Sequence, residues 1–164
     1  MTDREALTAY KCIQEDMRAA YAKSGNPSAV TFTSWQRFSR QSYQSATHGG
    51  RYVQNYANKK ATAYGKFENV GTLPAGASLA KASFSVSGDG KVGVGPLFMM
   101  EKMPAGFSPE GNDWKYTFIM PNGAVFGETG SKKGASMQFC MECHSAAADT
   151  DHLFFMPEEY RAKR

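Results

Sequence analysis

Two periods of hydrophobic spacing run along the chain, and the switch between them marks its elements. Near the start, Ala6, Tyr10, Ile13, Met17 and Tyr21 recur every three or four residues, the spacing of one helix face. This predicts an amphipathic helix over 3–24, ended by Ser24-Gly25-Asn26-Pro27. Residues 29–43 alternate imperfectly and favour a strand. Thr47-His48-Gly49-Gly50 reads as a turn, and Tyr52, Val53 and Tyr56 as a second short strand. Ala61, Tyr64 and Phe67 return to helical spacing, so a second helix is expected over 58–69, closed by Gly71 and Pro74-Ala75-Gly76.

The clearest period-two region follows. Leu79 to Val86 predicts a strand, Ser87-Gly88-Asp89-Gly90 a turn, and Lys91 to Met103 a further strand that Gly95-Pro96 breaks or bulges. Residues 114–120 and 124–128 flank Pro121-Asn122-Gly123, and Asn-Gly between two β-rich runs is a strong hairpin signal. A short helix is expected over 136–147 and one last helical turn at Pro157–Arg161. The fold class implied is α+β and β-rich: an antiparallel sheet with an N-terminal helix and a C-terminal helix. No internal repeat or low-complexity linker interrupts it.

Composition narrows this picture without changing it. The chain has 164 residues, 41% hydrophobic and 13% aromatic, with mean hydropathy −0.49. That suits one core and disfavours two ordinary domains or a disordered chain. Net charge is +4 and the bases are spread along the sequence, so a nucleic-acid partner is not expected. No apolar run approaches the roughly 20 residues of a membrane span. Met1-Thr2-Asp3-Arg4-Glu5 does not read as the start of an export leader.

The cysteines carry the chemistry. Cys140-Met141-Glu142-Cys143-His144 has the C-x-x-C-H spacing of c-type haem attachment. Two residues between the thiols let both reach the two vinyl groups on one porphyrin edge, and the following histidine then faces the iron as proximal ligand. The cofactor expected is one haem c, bound covalently through Cys140 and Cys143, with His144 as metal ligand. The alternatives are a zinc site or a disulfide. Zinc would have to draw on Cys12, His48 and His152, none of which makes a second compact pair. Covalent haem attachment occurs outside the cytoplasm, so a periplasmic protein with its leader removed is expected. Cys12 lies beside the helical stripe and reads as a buried free thiol, with an intermolecular disulfide as the other reading.

The order of elements discriminates further. Common electron-transfer cytochromes carry the haem motif early in an all-helical chain and supply a methionine ligand far downstream; here only Met156 follows it. A mixed, β-rich chain with one C-x-x-C-H near its end resembles cytochrome P-460 and its relative cytochrome c′-beta. The resemblance extends to Asp149-Thr150-Asp151-His152-Leu153-Phe154-Phe155 after the motif and to Asn112-Asp113-Trp114-Lys115-Tyr116-Thr117-Phe118 before it. It also includes Gly76-Ala77-Ser78-Leu79-Ala80-Lys81, which looks like the strand bearing the family's lysine, and more weakly Phe32 and Trp35. It covers about residues 32 to 161. The whole chain, 1–164, is therefore expected to be one haem c domain, with helix 3–24 as an addition.

The resemblance implies a lysine–haem cross-link, which falls on Lys81, and an open distal position on the iron. It implies oxidation of hydroxylamine or a related small nitrogen species, with electrons passed to a soluble cytochrome, and a homodimer built through the sheet. The c′-beta relatives imply instead nitric oxide binding in an apolar pocket; a plain c-type electron carrier is the third reading. Read from its own strand, Lys81 shares a face with Leu79 and Ser83, and such a lysine is commonly solvated. Glu101 and Glu128 are the candidates for a catalytic base. Ala135 stands where a family carboxylate is expected, which counts against hydroxylamine turnover. Phe98, Met99, Met100, Met103 and Phe118 are candidates for pocket wall or plain core, with Phe98 and Met100 taken as cofactor-binding. Met99 or Met100 as a sixth ligand would close the iron site.

Overall fold

The computed structural model describes residues 1–163. Helix α1 spans Asp3–Ala22. Its start is fixed by a capping box: the Thr2 hydroxyl accepts from the Glu5 amide at 3.3 Å, and the Thr2 amide donates to Glu5 Oε2 at 2.7 Å. The stripe Ala6, Tyr10, Ile13, Met17 and Tyr21 is buried as its spacing requires. Cys12 corrects the expectation of a buried thiol: it lies on the flank of that stripe and is exposed.

The predicted strand over 29–43 is largely a different structure. Asn26 Oδ1 accepts from the amides of Ser28 and Ala29, and Pro27 occupies the first helical position, so a short helix α2 forms at Pro27–Thr31. A 3-10 turn follows at Phe32–Ser34. Only Gln36–Arg37 (β1) and Tyr43–Ser45 (β2) are extended within sheet pairings. The 58–69 helix is likewise corrected to an irregular 3-10 segment, Lys59–Asn69, broken by non-helical backbone at Ala61 and Phe67.

The remaining strands agree with the alternation. They are β3 (Arg51–Ala57), β4 (Ser78–Val86), β5 (Val92–Lys102), β6 (Trp114–Ile119) and β7 (Val125–Glu128). Together with β1 and β2 they form one antiparallel seven-stranded sheet in the order β1-β3-β4-β5-β6-β7, with β2 also paired to β3. The bulge foreseen at Gly95-Pro96 is present. Two residues of β5 oppose Ser83 of β4, because Ala82 pairs with Leu97 and Phe84 with Val94. A side chain at position 95 would bring a Cβ within 2.8 Å of the Ser83 carbonyl oxygen, so glycine is required there.

The sheet has a core on each face. On one, α1 and Phe32 pack against Tyr56, Ala80, Ala82, Phe84, Leu97, Met99 and Ile119. Each large apolar side chain among them, such as Phe84, Leu97, Met99 or Ile119, contributes about 1.5–3 kcal/mol when taken out of water. On the other, Val53, Leu79, Trp114 and Tyr116 meet Tyr64, Met137, Leu153 and Met156. Helix α3 (Gln138–Ser145), shorter than predicted because its first turn is the 3-10 segment Gly134–Met137, lies on this second side. Among the described residues no helix is long and apolar enough to cross a membrane.

Candidate haem site

Strand register builds the floor of the site. Asn55 pairs with Lys81, Lys81 with Phe98, and Phe98 with Phe118, forming one row across β3 to β6. The next row in the same facing is Leu79, Met100 and Tyr116. These residues line a cleft of about 310 Å³, within the range of small-molecule and cofactor pockets.

Helix α3 lies across the cleft. Its approach is close: a Cβ at Gly127 of β7 would come within 2.7 Å of Met137 Sδ, so a larger residue there would displace the side chains of the segment leading into α3. Cys140, Cys143 and His144 sit at i, i+3 and i+4, one face of the helix, and all three line the cleft. The tail residues Leu153, Phe154 and Phe155 line it too, and the 3-10 turn Ala46–His48 brings in Thr47 and His48.

His144 Nδ1 lies 2.7 Å from the His152 carbonyl oxygen. A carbonyl only accepts, so Nδ1 carries the proton and Nε2 is left with a free lone pair for a metal. Burial holds His144 neutral, its pKa lowered to about 4. Burial pushes the Cys140 thiol up to about 11, with the neighbouring Cys143 adding to the effect. Lys81 is half-buried, and among the described residues its ammonium makes no hydrogen bond or ion pair. Desolvation brings its pKa down to about 8, partly offset by Cys143. His48, in the turn read from Thr47-His48-Gly49-Gly50, is packed edge-on against Phe98 at 4.8 Å between ring centroids. Its Nδ1 is 2.9 Å from the Ser45 hydroxyl. Burial, then the nearby Lys81 and His144 charges, lower its pKa to about 3.

The sequence-predicted residues divide cleanly. Lys81, Phe98, Met100, Phe118, Cys140, Cys143 and His144 share the cleft. Glu101 and Glu128 do not line it. Glu101 is one residue out of phase with Met100, so it points to the α1–α2 side, where Lys115 Nζ lies 2.7 Å away and Ser28 Oγ donates at 2.7 Å. Glu128 accepts from Thr117 Oγ1 at 3.1 Å. Where they lie, neither carboxylate can serve the cleft as a base. Met99 borders the cleft and also packs in the helix-side core, Met103 does not line the cleft, and Ala135 is exposed. Tyr116, Tyr64, Asn55 and His48 were not singled out as cofactor-binding. Counting two residues back from Phe118 on the hairpin strand would have found Tyr116.

These residues fit a c-type haem. The donor set is two thiols and an imidazole on one helix face, with the imidazole's outer nitrogen already committed to a carbonyl. The walls are largely aromatic. The Tyr116 hydroxyl is buried in the cleft lining with no hydrogen-bond partner among the described residues, an atom that a polar bound group would satisfy. Among the described residues no three His, Cys, Asp or Glu side chains converge as a metal-ion set, and Cys12 is on the helix that packs against the opposite sheet face. No curated protein sequence matches the chain. A family model described as Cytochrome P460 matches residues 30–155, a span that includes every strand, the lysine, the C-x-x-C-H helix and the aromatic tail. The chain belongs to the cytochrome P460 family, which implies a c-type haem.

Proposed function

We propose that this protein is a mono-haem c redox protein of the P-460 type, exported to the periplasm, that acts on hydroxylamine or a related small nitrogen species. Cys140 and Cys143 tether the haem, His144 ligates its iron, and Lys81 bonds to the macrocycle. When bound, the haem would supply a metal for the substrate nitrogen and a route for electrons to a soluble cytochrome. The observation that carries this reading is the placement of Lys81 in the same cleft as Cys140, Cys143 and His144, desolvated and unpaired.

The chain's own residues divide the remaining work. With a pKa near 8, Lys81 has a substantial neutral fraction at mildly alkaline pH, which a nucleophilic amine requires. His48 is neutral and keeps Nε2 free while Ser45 occupies Nδ1, so it can hydrogen-bond a small polar ligand. Phe98, Phe118, Phe154 and Phe155 keep the cleft apolar.

A second reading, nitric oxide binding without turnover, is favoured by one observation. The two carboxylates of the β strands lie outside the cleft, engaged by Lys115 and Thr117, and the cleft's polar lining consists of Thr, His, Asn, Tyr, Lys and Cys side chains. Oxidising hydroxylamine releases protons that need acceptors; binding nitric oxide does not.

Lys81→Leu tests the lead reading. In the wild-type protein, the haem peptide from a digest should carry the Lys81 peptide, with a mass two hydrogens below the sum of its parts, the two protons and two electrons having been taken by an external oxidant of the peroxide class. The variant should lose that mass and shift its visible spectrum. An unchanged spectrum would remove the Lys81 assignment. Nitric oxide binding without hydroxylamine turnover in the wild type would select the second reading.

A further inference from the structure

The turn after α3 is built in an unusual way. Asp151 and His152, neither a glycine, both adopt left-handed backbone, with φ of 56° and 62°. Side-chain-bearing residues rarely take this conformation, and two in succession persist only where the surroundings over-determine them. The surroundings here do so. The Asp151 carbonyl accepts from the Trp114 indole at 2.7 Å. Its carboxylate accepts from Lys102 Nζ at 2.7 Å, from Asn112 Nδ2 at 2.7 Å and from the Leu73 amide at 2.8 Å. The His152 amide donates to the Ala147 carbonyl at 2.9 Å.

The pair is deeply buried: the Asp151 side chain is 1% exposed and that of Lys102 is 7%. The Lys102 ammonium also lies 4.9 Å from the centre of the Trp114 ring. A buried ion pair is a poor way to gain stability, because desolvation offsets its attraction and a well-packed apolar pair does as well or better. What an ion pair whose carboxylate oxygens are both hydrogen-bonded does supply is a fixed geometry. The geometry fixed here ends at the His152 carbonyl, 2.7 Å from His144 Nδ1. The partners come from rigid places: Lys102 ends β5, Trp114 opens β6 opposite it, and Asn112 lies in the connection between them.

We infer that the buried Asp151–Lys102 pair, with Asn112 and Trp114, is a positioning device for the proximal histidine: it locks the Asp151–His152 turn so that the His152 carbonyl holds His144 Nδ1–H. The inference rests on the reading of His144 as the iron ligand. A carbonyl held on Nδ1–H gives the imidazole more anionic character and strengthens its donation to iron. That favours the ferric state, so the sheet end sets the redox balance of the haem through one hydrogen bond.

The test compares holoprotein of Asp151→Ala, Asp151→Asn and Asn112→Ala with Arg161→Ala. Arg161 ties down the same tail through Glu68 and the Met156 carbonyl, with no link to the His152 turn, and so controls for a loosened tail. The readouts are the midpoint potential and the iron–histidine stretching frequency in resonance Raman spectra. Asp151→Ala should raise the ferrous-to-ferric ratio at fixed potential roughly tenfold, about 59 mV for a one-electron couple, and lower the stretching frequency. Asp151→Asn and Asn112→Ala should shift both in the same direction by less, and Arg161→Ala should shift neither. If the Asp151 and Asn112 variants melt earlier with both readouts unmoved, or if Arg161→Ala moves them equally, the network is only a staple and the inference falls. Where Asp151→Ala does not fold, Asn112→Ala decides. If wild-type holoprotein shows no iron–histidine stretch assignable to His144, the ligand reading itself has failed, and the inference with it.

Discussion

The two faces of the sheet come from the same strands, yet one is built for packing and the other for chemistry. On the α1 side, Phe84 stacks on Tyr52 at 5.3 Å, and the Tyr10 and Tyr56 hydroxyls meet at 2.5 Å. Burial pushes both of these phenols above their ordinary range. Charged side chains on that side neutralise one another at its rim, as Glu101 and Lys115 do. One residue along each strand, the facing reverses. There, among the described residues, the Lys81 ammonium goes unpaired and the Tyr116 hydroxyl has no partner, and His48 and His144 are held neutral in a cleft. Strand geometry makes this division available, because successive side chains point to opposite faces. A single β5 can then give Leu97 and Met99 to the core and Phe98 and Met100 to the cleft.

The sharpest way to break the comparison is to damage the packing face alone. Phe84→Ala should cost about 3–5 kcal/mol by removing a fully buried ring, measured by denaturant unfolding, while the visible spectrum of the folded holoprotein stays unchanged. A spectral shift would mean that the faces are coupled. A smaller effect should come from acid. The folded pKa of His48, about 3, lies below its ordinary 6.5, so the unfolded chain takes up the proton first. Its contribution to stability is present above pH 6.5 and is lost as pH falls toward 3. His48→Gln should flatten that limb in unfolding curves taken across this window; an unaltered slope would show that the histidine is not held neutral. The smallest effect belongs to Glu101→Gln. Stability should fall by about 1–3 kcal/mol, because the hydrogen bond to Ser28 can persist while the charge opposite Lys115 is lost, and ligand affinity and turnover at the cleft should be unaffected. A large fall in turnover would return this carboxylate to the chemistry.

Much of this was legible in the sequence, and the reason is local. Period-two alternation gave β4 and β5 nearly to the residue, and it put Lys81 on one face with Leu79. The Pro121-Asn122-Gly123 turn set the β6–β7 hairpin, and Gly95-Pro96 marked the bulge. The failures share a cause as well. Residues 29–43 look extended by composition, but Asn26 and Pro27 start a helix just ahead of them, and a cap outweighs weak alternation. Over 58–69 the apolar spacing suits a helix, yet Phe67 takes a positive φ that no α-helix allows. Cys12 was misplaced by a single position around a helix.

What the sequence determined alone is the chemistry that fits within a few neighbouring residues: two thiols and an imidazole on one helical face, and strands whose alternation fixes which side chains travel together. Tertiary structure decided everything that depends on residues distant in the chain. It carried Glu101 and Glu128 away from the cleft, brought His48 in, and joined Asp151 to Lys102 across 49 positions. Periodicity is a property of bonded neighbours and can be read along a chain. Register, burial and the partner of a buried charge arise only when separate segments exclude water together.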